Sequence, residues 1–526
     1  MFNKNKLSVA IVSLLAAGSH QVLAQDAPVV EEVVVTGIRA SLERAMDIKR
    51  ESAGVVDSIS AEDMGKFPDT NLAESLQRIT GVSIDRSNGE GSRITVRGFG
   101  PDYNMVTLNG RTMPGGSTYG GSSGADDATR GGNARAFDFA NLASEAIAGV
   151  DVYKTGKANI AAGGIGATVN IKTARPLDNP GFNASVGAKA VHDTTNVEGS
   201  DVTPEISGLI SWTDDNERFG VSLSASYQER DSGYIGATVN GWNIGYWGED
   251  TSRIYGADAE ANADDIFVNA PELGQMFARP NDIRYAYSDR TRERTNAQLT
   301  LQFAPTDSVV TTLDFTYAKN DREEHRGEIA NWVQNNNFLT EVVFDDSAIK
   351  TPVLIREEYF ANNPLETRDI GFAQQYRSQE DTLTSIGFNV AWNVNDQLTL
   401  TFDAHNSTME SLPTGPGRVG EIDVGIGAPI KAGKTLYFGG DLPSWDYVRP
   451  GGGTYIDDCA HADRNPGKTY VTNCNGIIDA GDLSSAVMRM WSAEQKTEIT
   501  QIRLDGAWQF DDGRFEFGLE RSEQSS

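Results

Sequence analysis

Apolar and polar residues alternate with a period of two over much of the chain from about residue 181 onward. The clearest run extends from Phe219 to Tyr227, where every second residue is apolar and the residues between are small or polar. The same alternation recurs at 297–303, 313–317, 386–392, 398–402 and 502–508. Strands of about ten residues with one apolar face cross a membrane at a tilt. The pattern therefore predicts antiparallel membrane-spanning strands.

The connections between these strands alternate in length. Tight turns are predicted at 213–218, 304–307, 393–396 and 511–513, whereas roughly sixty to ninety residues separate the other neighbours. This alternation is typical of an outer-membrane β-barrel, and the alternative, a soluble β-sandwich, rarely has loops so one-sided in length. By Ser526 the pattern predicts about nine strands, and an odd number leaves an edge unpaired. We therefore expect residues 177–526 to form a truncated barrel with long extracellular loops.

Residues 41–176 have a different pattern and predict a compact α/β domain. Ser60 with Asp63, and Asn71 with Glu74, have the spacing of helix N-terminal capping boxes, and Gly81 ends the second helix. Short strands are predicted at 93–97, 105–108, 149–153 and 168–172, joined by glycine-rich turns. The chain is thus predicted to have an α/β domain followed by an all-β barrel.

The N-terminus has the pattern of a secretory signal peptide over residues 1–24. Lys4 and Lys6 precede an apolar run of about a dozen residues, and Ala24 ends a small-residue cleavage site. A membrane anchor is the alternative, but this run is shorter than the roughly 20 residues that a spanning helix needs. Residues 25–40 then form a tail whose valine-rich segment 31–37 suits β-strand addition to a partner. The alternative is a first strand of the following domain.

Charge and composition exclude several functions. The chain has 45 Lys and Arg against 74 Asp and Glu, a net charge of −29, which disfavours nucleic acid as a partner. The 5 histidines are scattered without a partnered nucleophile, so we expect no enzymatic activity and no required cofactor.

Cys459 and Cys474 lie in one loop of an exported chain, and we expect a disulfide between them. The same loop has the partial spacing of an EF-hand, with Val471 at the first position where a ligand is needed. A calcium site and a disulfide-pinned polar loop are the two interpretations. The calcium site would use Asn473, Asn475, Asp479 and Asp482.

Four motifs in order resemble those of the TonB-dependent outer-membrane receptors. Residues 31–37 resemble the TonB box, 68–82 the first plug helix, and 94–99 the plug strand that follows. Residues 151–155 with 163–171 resemble the motif that ends the plug. The residues of this last motif are most similar to those of the receptor branch found in Xanthomonas-like and Caulobacter-like bacteria. Many receptors of that branch import carbohydrates.

The resemblance implies a plug inside a barrel in the outer membrane of a Gram-negative bacterium, surrounded by its lipid. TonB, pulled by its inner-membrane proton-driven motor, would pair with the box, which consists of Glu31, Glu32, Val33, Val34, Val35, Thr36 and Gly37. The cargo expected from the branch is an oligosaccharide, and a ferric siderophore, a metal chelate, is the alternative. A surface adhesin or binding β-protein without transport is the alternative from another class.

Two sets of site residues follow from the resemblance. Arg93 and Arg97 are expected to hold the plug to the barrel wall. Ligand contacts are expected on the outward loops, although for any single aromatic residue packing within the loops is the alternative. The expected ligand-binding residues are Tyr103, Arg111, Tyr119, Asp126, Asp127, Arg130, Trp242, Trp247 and Trp445.

Overall fold

The computed structural model describes residues 45–52, 54–60, 71–87, 89–118, 136–144, 147–333, 338–359, 371–427, 433–448 and 480–526. The described residues from 45 to 173 form an α/β domain, which we call the plug domain. It contains helical residues 45–51, helix α1 (Leu72–Leu76) and seven strands. The strands are β1 (Val56–Ser60), β2 (Val82–Ser87), β3 (Glu90–Val96), β4 (Met105–Leu108), β5 (Arg111–Thr112), β6 (Ile147–Tyr153) and β7 (Thr168–Thr173).

The plug domain is built on a five-stranded sheet of order β1-β6-β7-β4-β5, with the hairpin β2–β3 beside it. Strands β4 and β7 run parallel and the other pairs are antiparallel. The predicted cap of α1 is present, since the Asn71 side chain accepts a hydrogen bond from the Glu74 amide at 3.3 Å. The helix is shorter than expected, however, and ends in turns before Gly81. The predicted helix after Ser60 lies outside the described residues.

The apolar core of the plug domain lies between the sheet, α1 and β3. Leu72, Leu76, Val150, Val152 and Ile171 are fully buried there. Each side chain of this size contributes about 1.5–3 kcal/mol when it leaves water. The same cluster includes Ala318, Leu383 and Met409, which belong to the larger sheet described next. The plug domain is therefore packed against that sheet by a shared core.

In the described part of the chain a second sheet, which we call the wall sheet, has eleven antiparallel strands, and nine of them lie in the order β23-β22-β17-β16-β13-β12-β10-β9-β8. The predicted number of about nine strands is confirmed. They are β8 (Asn183–Val191), β9 (Thr203–Thr213), β10 (Phe219–Tyr246), β12 (Met276–Thr306), β13 (Val309–Trp332), β16 (Gly371–Asn393), β17 (Leu398–Pro413), β22 (Gln495–Phe510) and β23 (Gly513–Ser525). Strands β18 (Glu421–Gly427) and β21 (Ser484–Trp491) extend it beside β16.

The strands of the wall sheet extend far beyond their alternating apolar segments. β10 has 28 residues, β12 has 31 and β13 has 24, so much of what the sequence suggests as loop is paired strand. Beyond the apolar segments both faces become polar, and hydrophobic alternation no longer marks the strand. The tight turns are where they were expected, between β9 and β10, β12 and β13, β16 and β17, and β22 and β23.

One face of the wall sheet keeps an apolar band exposed beside the tight turns. Its outermost aromatic residues are Trp212, Phe219, Phe303, Trp392 and Trp508, each 40–53% exposed. An exposed apolar surface of this extent, with aromatic residues at its rim, suits contact with lipid. No helix within the described ranges is long and apolar enough to cross a membrane.

The long connections form a separate five-stranded sheet of order β11-β14-β15-β19-β20. Its strands are β11 (Phe267–Val268), β14 (Leu339–Phe344), β15 (Pro352–Glu358), β19 (Gly433–Tyr437) and β20 (Ser444–Val448). With helices α2 (Thr251–Tyr255), α3 (Ala257–Ala261) and α4 (Ala263–Ile266) it makes a unit that we call the outer subdomain. This unit has its own buried core, which includes Tyr255, Phe277, Ile283, Val342 and Ile355.

Candidate functional site

The contacts between plug and wall define which face of the wall sheet looks inward. In β10, β12 and β13 the plug touches even-numbered residues, such as Arg230, Arg294 and Asp314. Pairing between these strands continues without a register shift up to Trp242 and Trp332. Because side chains alternate between faces, even-numbered residues farther out on these strands also lie on the inward face.

Glu90, at the start of β3, anchors the plug to the wall through three arginines. Its carboxylate contacts Arg230 at 2.6 Å, Arg294 at 3.0 Å and also Arg292. Its side chain is only 5% exposed. Burial alone would raise the pKa of Glu90, but the charges of Arg292, Arg294 and Arg230 outweigh it and hold that pKa well below its usual value. Glu90 is therefore a charged group fixed between plug and wall.

Arg111, in β5, forms a second anchor. Its Nε donates to Asp403 at 2.9 Å, its Nη1 to Asp314 at 2.8 Å, and its Nη2 to Asp403 at 3.1 Å. All three side chains are 5% exposed. The predicted ligand contact of Arg111 is not supported by this geometry, because its donors bind the wall carboxylates and its side chain is buried. Its role is to hold plug to wall.

Ser117 and Thr118 of the plug form a third anchor to the wall. Arg322 donates to the Ser117 hydroxyl at 2.8 Å and pairs with the fully buried Asp381. The Thr118 amide donates to Ser411 at 3.1 Å, and Gln379 donates to the Thr118 hydroxyl at 2.7 Å. The predicted ligand residues Tyr119, Asp126, Asp127 and Arg130 lie outside the described residues.

Arg97 was expected to hold the plug to the wall, but it binds within the plug itself. Its Nε donates to the Gly166 carbonyl at 3.1 Å, and its Nη2 reaches the Ile165 carbonyl at 3.4 Å. Its φ of 55° turns the chain after β3 and aims the side chain along the plug. Arg93 makes no ion pair in the described part of the chain, and its Nε is buried without a hydrogen-bond partner. The wall pairing expected of these two residues is thus made by Glu90 and Arg111 instead.

Aromatic side chains line the inward face above these anchors. Trp242 and Trp332 are 42% and 52% exposed, and Trp332 has the Arg284 guanidinium 5.3 Å from its ring centre. Deeper on the same face, the Arg290 guanidinium lies 5.7 Å from the ring of Tyr234. These three rings form what we call the mouth aromatics.

The arginines beside the mouth aromatics are neutralised by carboxylates of the wall. Arg284 pairs with Asp282 at 2.9 Å and with Glu328 at 3.1 Å. Arg290 pairs with Glu324 at 2.9 Å. At this level the inward face therefore presents flat rings and arginines that are paired with carboxylates.

The other predicted aromatic ligand residues fall into two groups. Tyr103 lies on the plug surface and is 56% exposed. Trp247 packs edge-on against Phe267 and Phe277 in the core of the outer subdomain, with ring centres 4.9 and 5.3 Å apart. Trp445 packs against Tyr285, an odd-numbered residue of β12, at 5.0 Å. Trp247 and Trp445 thus pack within the outer subdomain, and their use as ligand contacts is not supported by this geometry.

Two ion pairs fix β1, the first strand of the plug, to neighbouring residues of the plug domain. Asp57 pairs with Lys49 at 2.6 Å and with Lys154, which also donates to the Thr80 carbonyl at 2.6 Å. Burial raises the pKa of Asp57, but the hydrogen bonds and charges of Lys154 and Lys49 lower it more, so it stays below the usual value. The predicted TonB box, the signal peptide and Cys459 with Cys474 lie outside the described residues.

The predicted calcium ligands are also beyond what the structure describes, since Asn473, Asn475 and Asp479 and the side chain of Asp482 are not among the described groups. In the described ranges no three His, Cys, Asp or Glu side chains are arranged to hold a metal.

Residues 48–168 match the family model of the TonB-dependent receptor plug domain. Residues 48–168 are thus a plug domain of the kind found in TonB-dependent receptors. TonB-dependent receptors are proteins of the Gram-negative outer membrane, and in this chain the α/β plug domain packs against the strands of the wall sheet. No curated protein matches this chain.

Several solved structures are similar to the receptor in outline. The outer membrane transporter YddB from Escherichia coli is 9% identical, with a TM-score of 0.37, over 89% of this chain and 56% of that one. The siderophore receptor PirA from Acinetobacter baumannii is 12% identical, with a TM-score of 0.29, over 91% of this chain and 81% of that one. The RagAB peptide importer is 12% identical, with a TM-score of 0.36, over 90% of this chain and 55% of that one. The chain thus spans little more than half the length of YddB.

Proposed function

We propose that the receptor actively imports a scarce ligand across the outer membrane, powered through TonB by the inner-membrane proton-driven motor. The observation that supports this most is the plug fastened to the wall at three places, through Glu90, Arg111 and Ser117 with Thr118. Thermal motion alone does not separate a plug held by buried ion pairs from the wall sheet, because each broken pair leaves an uncompensated buried charge. Transport past it needs work, and a transporter rather than an enzyme or an adhesin has a use for that arrangement.

We propose an oligosaccharide as the cargo, which is also what the resemblance to the carbohydrate-importing branch suggests. Sugar rings pack their apolar faces on flat aromatic side chains and use planar polar groups for their hydroxyls. Trp242, Trp332 and Tyr234 supply the rings on the inward face. Because Arg284 and Arg290 are already paired with carboxylates, this face suits a neutral cargo better than an anionic ferric chelate. A siderophore remains the second candidate cargo.

The test is calorimetric binding of purified receptor to the neutral malto-, xylo- and cello-oligosaccharides and to ferric citrate and ferric enterobactin. We expect one glycan to bind, and Trp242→Ala and Trp332→Ala each to weaken it by about 1.4 kcal/mol, or roughly tenfold. Trp392→Ala is the matched control, since Trp392 is 44% exposed on the lipid-facing side. Binding only to a ferric chelate would overturn the oligosaccharide proposal. If all three variants weaken glycan binding equally, the mouth aromatics do not form the binding site.

Transport itself is tested by uptake of the bound glycan in cells with and without TonB. We expect uptake to stop without TonB or with a proton uncoupler, while surface binding persists. Uptake that continues in the absence of TonB would refute active import and indicate a passive pore.

A further inference from the structure

The mouth aromatic Trp332 is the last residue of β13, and its backbone carbonyl points away from β12. The Val333 amide donates to the Asn281 carbonyl at 2.7 Å, so at Val333 the main-chain groups face β12. Because these groups alternate between the two sides of an antiparallel strand, those of Trp332 face the opposite side. On that side β13 pairs with β16 only as far as Ala330 in the described part of the chain.

A buried lysine of the outer subdomain donates to this carbonyl. Lys434, in β19, reaches the Trp332 carbonyl with its Nζ and pairs with Glu357 of β15 at 3.3 Å. The Lys434 and Glu357 side chains are 1% and 0% exposed, and the Tyr359 hydroxyl donates to Glu357 at 2.8 Å. A carbonyl removed from water needs a donor, and a buried ammonium needs a carboxylate. These groups therefore join the end of β13 to two strands of the outer subdomain.

A second contact from the same part of the outer subdomain lies beside the first. Tyr447, in β20, is directly opposite Lys434 in the β19–β20 pair, so the two side chains share one face. The Tyr447 hydroxyl accepts a hydrogen bond from Asn331 Nδ2 at 3.0 Å, and Asn331 is fully buried. The backbone on which Trp332 stands is thus fixed from the outer subdomain, while its ring stays about half exposed toward the mouth.

We propose that Lys434 is a positioning residue for cargo binding, which with Glu357 fixes the backbone at Trp332 and so orients the ring on which the cargo packs. This rests on the proposed oligosaccharide import and extends its binding site from the wall into the outer subdomain. A buried ion pair is often no more stabilising than apolar side chains of the same size, so we assign this pair to geometry rather than to stability. A ring held in place before the cargo arrives need not be ordered on binding.

The test uses the double variant Lys434→Met, Glu357→Gln, which removes both charges and nearly keeps the side-chain sizes. Proteins often tolerate the replacement of a buried ion pair by neutral groups, so we expect the receptor to assemble with unchanged thermal stability. Lys350→Met is the matched control. Lys350 is 9% exposed, and its Nζ donates to the Asp345 carbonyl at 2.6 Å in the turn between β14 and β15.

The position of the Trp332 ring is measured without any cargo, by fluorine NMR of purified receptor labelled with 5-fluorotryptophan. Trp332→Phe and Trp247→Phe assign the two resonances that matter. We expect the Trp332 resonance to shift or broaden in the double variant and not in Lys350→Met, while Trp247, in the core of the outer subdomain, stays unchanged in both. An unchanged Trp332 resonance would overturn the proposal. A change at Trp247 as well would assign the pair to stability and overturn it too.

Binding is then measured by calorimetry with the malto-, xylo- and cello-oligosaccharides. We expect the double variant to bind glycan about fivefold more weakly, the loss that corresponds to ordering one side chain on binding. In a Trp332→Ala background the same two substitutions should cause no further loss, because they act through that ring. An equal loss in both backgrounds would refute the positioning role. If no glycan binds to the unaltered receptor, the proposed cargo is refuted, and the fluorine measurement still decides whether Lys434 positions Trp332.

Discussion

Replacing Glu90 with glutamine removes the carboxylate on which Arg230, Arg292 and Arg294 converge, while the size of the side chain is kept. The consequence differs among the three arginines. Arg230 keeps its pair with Asp193 at 2.6 Å, and Arg294 keeps a hydrogen bond to Gln228. Arg292 has no other ion pair among the described residues, and its side chain is only 12% exposed. The variant therefore leaves about one buried charge without compensation.

Removing one partner of a buried ion pair costs about 3–5 kcal/mol. The lower end, about 3 kcal/mol, applies here because two of the arginines keep other partners and Arg292 is not fully buried. The free energy of local opening at β3 should fall by this amount, which corresponds to a roughly hundredfold faster amide exchange. We expect the Glu90→Gln, Arg292→Gln double variant to recover part of the loss.

The assay is hydrogen exchange of the β2–β3 hairpin in purified receptor, followed by mass spectrometry. Glu205→Gln is the control, because Glu205 pairs with a half-exposed Lys189 and such surface pairs contribute at most about 1 kcal/mol. Cells with Glu90→Gln should also become sensitive to large antibiotics that an intact plug excludes. If β3 exchanges in Glu90→Gln as slowly as in the unaltered receptor, the anchoring role of this cluster is refuted.

The same anchor predicts resistance to mild acid. The pKa of Glu90 in the folded receptor lies below its value of about 4.3 in an unfolded chain. The stabilisation from its ion pairs is therefore fully present above that unfolded value and is lost only as the pH falls through the lower folded pKa. Protection of β3, corrected for intrinsic exchange, should be the same at pH 7 and pH 5, and a loss of protection in that window would contradict the depressed pKa.

Three further predictions concern other parts of the receptor. Val34→Pro removes a backbone donor from the predicted TonB box and should abolish glycan uptake in cells while calorimetric binding is kept, and normal uptake would argue against the box. Arg111→Gln leaves its two carboxylate partners buried without a cation and should destabilise the plug by about 3 kcal/mol in hydrogen exchange, whereas unchanged protection would argue against this anchor. Cys459 and Cys474 should resist alkylation until a reductant is added, as intact mass would show, and two alkylated thiols without reductant would exclude the predicted disulfide.

The sequence by itself was enough to predict the two kinds of structure and the number of wall strands. Period-two alternation is a local property, because each side chain contacts one face or the other of its own strand. The short turns are also local, since Asp214 and Asn395 hydrogen-bond to amides only a few residues away. The family resemblance likewise rests on short motifs, and the plug match at 48–168 agrees with it.

Which charges meet was decided only by the tertiary structure. Arg111 and Asp403 are 292 residues apart in the chain, and Glu90 and Arg294 are 204 apart, so no local pattern connects them. The run Arg290, Arg292, Arg294 at every second position of β12 was a signal that these side chains share one face, but it does not say which carboxylate lies opposite. Arg93 and Arg97 were plausible for the same role until the turn after β3 directed Arg97 into the plug.

The surroundings of each tryptophan side chain likewise depend on how strands distant in sequence align. Trp242 lies within β10 and on its inward face, whereas Trp247, five residues later, has left the strand and packs into the outer subdomain. Both look alike in the sequence, as aromatic residues in a polar segment. Local physics determines whether a segment is a strand, whereas the face that a side chain occupies and the partner it meets depend on how distant strands align.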